Sequence, residues 1–201
     1  MSILGLSITD TKPVIHGAGF WIRVLARLLD FAYGYLVALV AGTVGAIALA
    51  ILQALSIVEP GWNRGISEGQ ILLWVGSMVG GLCYQTLCEG LCGASLGKIV
   101  CGLRVLSEDC SPCDLKQAFI RSLAYYFDGL VFGIVGYFEM TKTVMEQRHG
   151  DRWARTVVVR SSQVPPASKR SALWFVVAIG VGSGTWGVFL LAIIIGLGFT
   201  A

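Results

Sequence analysis

Residues 22–30 read I-R-V-L-A-R-L-L-D and place Arg23 and Asp30 directly before a long apolar run. The stretch returns at residues 120–128 as I-R-S-L-A-Y-Y-F-D, so both copies share the pattern I-R-x-L-A-x-x-x-D. In a helix, seven residues bring a side chain back to nearly the same face. Each copy therefore predicts an arginine and an aspartate on one helical stripe, at the edge of an apolar segment.

Charged side chains this close to lipid are costly and usually have partners. The repeat leads to the hypothesis that the two copies face each other, with Arg23 towards Asp128 and Arg121 towards Asp30. The alternative, which stays open, is that two helices entering a membrane share this composition by chance.

Composition places the chain among integral membrane proteins. Of 201 residues, 55% are hydrophobic and only 13% are charged, which is too apolar for a soluble domain and too poor in charge for a disordered one. Basic residues do not gather on a polar surface that bears aromatic side chains, so no nucleic-acid partner is expected. The N-terminal stretch lacks the pattern of a cleavable signal peptide.

The apolar runs predict an all-α membrane protein, a polytopic helical bundle with three to four transmembrane segments. Three runs are long enough to cross a bilayer, and we place the spans at Leu28–Val58, Gly69–Cys88 and Ala172–Phe199. Glycines four residues apart, at Gly76 and Gly80 and again at Gly180 and Gly184, favour close helix packing and a homodimer.

The fourth helical segment, Asp114–Phe138, is harder to place. Lysine and arginine side chains are retained in the cytoplasm, and their distribution predicts a cytoplasmic N-terminus and an outside loop at residues 59–68. The basic stretches on both sides of the fourth segment should then be cytoplasmic as well. Either the segment dips into the membrane and returns, or it spans and overrides the charge rule.

Two short stretches predict a small cytoplasmic two-stranded element. Residues Ile99–Leu106 are β-branched and alternating, and Arg155–Val159 reads R-T-V-V-V, as expected of short strands. We expect these two strands to pair.

Taken in order, these motifs resemble the RDD family of small bacterial integral membrane proteins, named for an arginine and two aspartates. The resemblance covers roughly residues 19–159, and either Asp128 or Asp151 corresponds to the second named aspartate. The matching segments are R-x-x-A-x-x-x-D at Arg23, Ala26 and Asp30, G-A-S-L-G-K from Gly93 through Gly97 to Lys98, G-L-R-V from Gly102, Arg121 with Asp128, Q-R-H-G-D ending at Asp151, and T-V-V-V from Thr156.

The resemblance implies a multi-pass protein of the bacterial inner membrane, which has the lipid bilayer as a partner. Some members of the family are implicated in sodium-or-lithium/proton antiport, and others accompany unrelated membrane systems. On this basis we expect a tail at 1–19, an RDD-like domain at 20–160, a linker at 161–170 and an additional C-terminal helix at 171–201. The pair Cys110 and Cys113, and that last helix, depart from the family pattern.

Two functions remain open for Arg23, Asp30, Arg121 and Asp128. A carboxylate in a partly dry site beside an arginine can exchange a proton for a monovalent cation. The same residues can instead form a structural ion pair that fixes helix register, in a scaffold or accessory subunit that binds a membrane partner. Neither function is enzymatic, and no cofactor is expected.

The spacing Cys110-x-x-Cys113 is half of a zinc or dithiol motif. A complete metal site would require Cys88 and Cys92, which lie one helical turn apart, to approach it. The alternative is that these cysteines are small apolar filler, and we expect no metal.

Overall fold

The computed structural model describes residues 16–58, 69–129, 134–142 and 145–199, without the side chains at 127–129, 134–136 and 172. The predicted tail therefore lies mostly outside the described residues, and the predicted loop at 59–68 lies wholly outside them. In chain order the elements are α1 (Phe20–Ala54), α2 (Gln70–Cys92), α3 (Leu96–Val100), β1 (Leu103–Ser107), α4 (Leu115–Gly129), α5 (Ile134–Met140), α6 (His149–Trp153), β2 (Thr156–Arg160) and α7 (Ala172–Phe199).

Three of these helices, α1, α2 and α7, are long and apolar enough to cross a membrane. They confirm the three predicted spans. Helix α1 begins eight residues before the predicted start at Leu28 and has 35 residues. At 1.5 Å per residue it is about 52 Å long, well beyond a hydrocarbon core of about 30 Å. Its first turns, which carry Arg23 and Asp30, therefore have room to project past the lipid tails.

Helix α7 packs against both α1 and α2. The indole ring of Trp186 lies where a side chain at Gly34 of α1 or at Gly80 of α2 would otherwise be. Gly76, one turn from Gly80, faces Ile193 in the same way. The close approach predicted from the Gly76–Gly80 spacing is thus an approach of α2 to α7 within one chain.

We expect Gly80→Ala to lower the free energy of unfolding by about 1–3 kcal/mol, because the added methyl group would overlap the rigid indole of Trp186. Gly42→Ala, in α1, is the matched control, since no atom lies within 4 Å of its added methyl group. The control is expected to be neutral or slightly stabilising, because alanine favours helix over glycine. Unfolding in mixed micelles measures both, and equal effects would contradict this packing.

The two short strands pair as the sequence predicts. β1 and β2 form an antiparallel pair in which Val105 lies opposite Val158. The start of the first strand was predicted wrongly, however, because residues 96–100 form the short helix α3 and the strand begins only at Leu103. A contact from α1 explains the difference: Asp30 accepts a hydrogen bond from the main-chain nitrogen of Gly97, at 2.8 Å.

Helices α4 and α5 leave one end of the bundle and return to it. Leu115, at the start of α4, lies against the last turns of α2. Eleven residues later, the Tyr126 hydroxyl donates to the carbonyl oxygen of Met78, near the middle of α2 (2.6 Å). The ring of Tyr137 in α5 lies 5.1 Å from that of Phe20, at the start of α1. These contacts favour the re-entrant alternative for this segment over a fourth crossing.

Candidate functional site

The side chain of Arg23 is buried and points out of α1 towards α6. Its Nη1 lies 3.0 Å from Oδ2 of Asp151. Its Nε donates to the carbonyl oxygen of Ala18 (2.6 Å), and its Nη2 donates to that of Val158 in β2 (3.3 Å). One guanidinium therefore ties the first membrane helix to both α6 and the strand pair.

Arg121 of α4 approaches the same aspartate from the other side. Its Nη2 lies 3.2 Å from Oδ1 of Asp151, and its Nε lies 3.3 Å from Oε2 of Glu89 in α2. Its Nη1 donates to the hydroxyl oxygen of Thr156 (3.1 Å). Lys98 of α3 pairs with the other oxygen of Glu89. Arg23, Arg121, Asp151, Glu89 and Lys98 thus form a buried charge cluster centred on Asp151.

Asp30 lies beside this cluster, and its partners are neutral. Its Oδ2 accepts hydrogen bonds from Ser95 Oγ at 2.6 Å and Gln85 Nε2 at 3.1 Å. Its Oδ1 accepts the hydrogen bond from the main-chain nitrogen of Gly97. The carboxylate therefore holds α3 against both α1 and α2.

The predicted pairing of Arg121 with Asp30 is wrong, because Arg121 pairs with Glu89 and Asp151 instead. The ion-pair partner that the structure gives Arg23 is Asp151; the side chain of Asp128 lies outside the described residues, so the contact predicted for it stays untested. The short helix α6 lies against α4 and brings Asp151 between the two arginines. The repeated pattern in the sequence does not indicate that Asp151 lies between the two arginines.

The role of Glu89, the residue directly after the predicted second span, was not predicted from the sequence. Glu89 is 3% exposed and pairs with both Arg121 and Lys98. A lone carboxylate at the end of an apolar helix is costly without a partner, and that cost was the available signal. Gln85, one turn earlier in α2, carried no comparable signal.

The remaining family-motif residues have packing or backbone roles. A side chain at Gly97 would overlap the carbonyl oxygen of Ala26, so α3 and α1 touch through their main chains. Gly93 and Gly102 have φ angles of +73° and +66°, which only glycine adopts without strain. They lie at the end of α2 and in the turn that follows α3.

A cavity of roughly 40 Å³ lies inside the cluster, between Arg27, Arg148 and Tyr125. It has room for a water molecule or two. The guanidinium carbon of Arg27 lies 3.6 Å from the centre of the Tyr125 ring, a cation–π contact. Arg27, Arg148 and Asp30 line this cavity as well. Counted together with the cluster, they give five basic side chains and three carboxylates, a formal net charge of +2.

Burial alone would raise the pKa of the Asp151 carboxyl, but Arg121, Arg148 and Arg23 together lower it well below its ordinary range. Burial also lowers the pKa of Lys98, although the neighbouring Glu89 opposes this. Asp151 is therefore ionised at every physiological pH and acts as a fixed negative charge among guanidinium groups.

The contribution of Asp151 to stability should depend on pH. It is fully present above about pH 4, the ordinary pKa of aspartate. It is lost as the pH falls from about 4 towards the lower folded-state pKa, because the unfolded chain takes up the proton first. The difference in unfolding free energy between the parent and Asp151→Asn should be constant from about pH 5 to 8 and shrink below about pH 4. A difference that stays constant in acid would contradict the lowered pKa.

All six cysteines lie in the part of the chain that the structure describes, and all have free thiols. No group of three or more histidine, cysteine, aspartate or glutamate side chains there is placed to hold a metal ion. Burial raises the pKa of the Cys113 thiol to about 12, so this thiol stays protonated at neutral pH. A protonated thiol is a poor nucleophile and a poor ligand.

Three helices that are long and apolar enough to span a membrane, together with the strand pair, define a polytopic helical membrane protein with a buried charge cluster at one end. The sequence profile of the RDD family matches residues 17–155, more than half of the chain, and the protein belongs to the RDD family. The match ends before β2, so α7 follows the matched region. No curated protein and no solved structure matches the chain.

Proposed function

We propose that this RDD-family protein is a non-enzymatic scaffold or accessory protein of the membrane. One observation carries the proposal: a single carboxylate, Asp151, bridges Arg23 of α1 and Arg121 of α4. The ion pairs and hydrogen bonds of the cluster thereby hold the strand pair and α6 rigidly against the membrane helices. A rigid platform of this kind suits the binding of a partner protein.

The charge balance of the cluster also supports a structural role. Cation sites in proteins gather oxygen ligands with an excess of negative charge. Here five basic side chains surround three carboxylates, and both Glu89 and Asp151 are already paired. The net charge of +2 would repel an incoming cation.

Helix α7 supports the idea of a partner inside the membrane. Gly180 and Gly184 lie one turn apart, and no atom lies within 4 Å of a methyl group added at either. Small residues on an open helix face allow another helix to approach closely. The partner helix belongs either to a second copy of this chain or to a different membrane protein.

We place the protein in the bacterial inner membrane with its N-terminus and the charge cluster in the cytoplasm, following the distribution of basic residues. Reporter fusions at the N-terminus and after Glu146 test this placement. Both fusions are expected to report the cytoplasmic side. An external report from Glu146 alone would contradict the re-entrant hairpin.

Crosslinking in the native membrane, followed by purification, tests the scaffold proposal. We expect one stoichiometric crosslinked species, either a homodimer or a complex with one membrane protein. Gly184→Leu should reduce its yield, while Gly42→Leu serves as the matched control, because a methyl group at Gly42 also meets no atom. The proposal would be contradicted if the parent formed no stoichiometric crosslinked species. It would also be contradicted if the parent and both variants gave equal yields of that species.

Cation/proton exchange is the second candidate function, and Asp30 is the observation that favours it. Asp30 is 6% exposed. Among the described residues, no basic side chain forms an ion pair with it, and its hydrogen bonds come from neutral donors. A buried carboxylate whose partners are neutral keeps a negative charge that can attract a monovalent cation.

Purified protein in liposomes that contain a pH-sensitive dye separates the two functions. The scaffold proposal predicts no proton flux when sodium or lithium is added. Exchange would instead give a cation-dependent flux that Asp30→Asn abolishes and Asp109→Asn, at an exposed carboxylate, leaves unchanged.

A further inference from the structure

A second cavity, of about 220 Å³, lies outside the charge cluster, between the strand pair and the segment that leads into α7. Its walls carry three basic side chains and no acidic one. The lining includes Arg104 of β1, Ser161 and Ser168 of the connecting segment, and Lys169 and Arg170 just before α7. We propose that this cavity binds a phosphate group, carried either by an anionic lipid or by a small soluble phosphate.

Two of the three cations are held in place by main-chain oxygens. Arg104 Nη1 donates to the carbonyl oxygen of Cys92 at 3.1 Å, and Arg170 Nη1 donates to that of Leu91 at 2.7 Å. Both oxygens lie at the C-terminal end of α2. Arginine has five N–H donors, so each guanidinium is fixed in position and keeps donors for an anion.

Capping of α2 accounts for the two arginines but not for Lys169. Among the residues that the structure describes, the Lys169 side chain makes no hydrogen bond and no ion pair. In the same part of the chain, no carboxylate lies within 4.0 Å of the guanidinium group of Arg104 or Arg170. Three uncompensated cations at one cavity attract an anion, and guanidinium groups match phosphate oxygens in geometry.

The position and size of the cavity fit a headgroup. It opens beside the start of α7, where Trp174 is half exposed, as expected of an aromatic side chain at the lipid–water interface. Its volume is below the roughly 300 Å³ at which pockets for drug-sized ligands begin. Lys169 and Arg170 follow the segment that matches the RDD family, so the site is a feature of this chain and not of the family region alone.

Native mass spectrometry of the purified protein tests the lipid source, with phosphatidylglycerol and phosphatidylcholine added in turn. Calorimetric titration with inorganic phosphate and with glycerol phosphate tests the soluble source. We expect preferential retention of one phosphatidylglycerol molecule. Lys169→Gln should weaken binding about fivefold, since a basic residue near an anionic surface contributes about that factor.

Lys169→Gln removes no contact seen in the structure, so the variant should fold like the parent. Lys116→Gln, at an exposed residue outside the cavity lining, is the matched control and should leave binding unchanged. Binding of the soluble phosphates alone, with the same dependence on Lys169, would assign the site to a soluble phosphate. Equal binding by the parent and Lys169→Gln, or no binding of any phosphate compound, would overturn the proposal.

Discussion

Asp151→Asn is expected to lower the free energy of unfolding by about 3–5 kcal/mol, the range found when one partner of a buried ion pair is removed. Asp151 is 1% exposed and lies between Arg23 and Arg121, at 3.0 and 3.2 Å. Asparagine keeps the shape of the side chain but not its charge. Two buried guanidinium groups would then lose the carboxylate that offsets the cost of burying them.

Titration with a denaturing detergent in mixed micelles measures this loss. Asp109→Asn is the control, because Asp109 is exposed and accepts hydrogen bonds from Ser111 within its own turn. The unfolding free energy lost in Asp109→Asn is expected to stay below about 1 kcal/mol, as is usual for surface positions. If the two variants lose the same amount, Asp151 is not the centre of the buried cluster.

Gly97→Ala should have the second largest effect, a loss of about 3 kcal/mol, at the upper end of the cost of overpacking. The added methyl group would overlap the carbonyl oxygen of Ala26, and it would lie 3.1 Å from the carboxyl carbon of Asp30. A main-chain oxygen inside a helix cannot move aside as a flexible side chain can. Helix α3 would have to separate from α1, and the hydrogen bond from Gly97 to Asp30 would break.

The same detergent titration, with Gly42→Ala as the control, checks this prediction. Gly42 also lies in a helix, and a methyl group added there meets no atom within 4 Å. The control is expected to be neutral or slightly stabilising because alanine has the higher helix propensity. A Gly97→Ala variant as stable as the control would show that α3 and α1 are not in main-chain contact.

Features that depend on local sequence were predicted well. The three spans follow from uninterrupted apolar length, and the strand pair follows from two short β-branched stretches. Residues 99–102 were predicted wrongly as strand, because Ile99 and Val100 favour a strand locally. There the hydrogen bond from Gly97 to Asp30 overrides local propensity and makes a short helix.

The partners within the candidate site depend on long-range contacts, and the sequence indicated only some of its members. Arg23 and Arg121 were predicted from the repeated pattern, and Asp151 was named from the resemblance to the RDD family. Their pairing was not predictable, because Arg23 and Asp151 are 128 residues apart and meet only when α6 folds back against α4. Glu89 was missed for the same reason, since its partners come from two other helices.

A double-mutant cycle on Arg23 and Asp151 tests the central claim most directly. Arg23→Gln, Asp151→Asn and the combined variant are compared with the parent by unfolding in mixed micelles. Residues in direct contact show coupling energies of about 0.5–3 kcal/mol, and we predict a coupling of at least about 1 kcal/mol for this pair. Losses that simply add, within about 0.5 kcal/mol, would contradict a cluster in which one carboxylate joins α1 to α6.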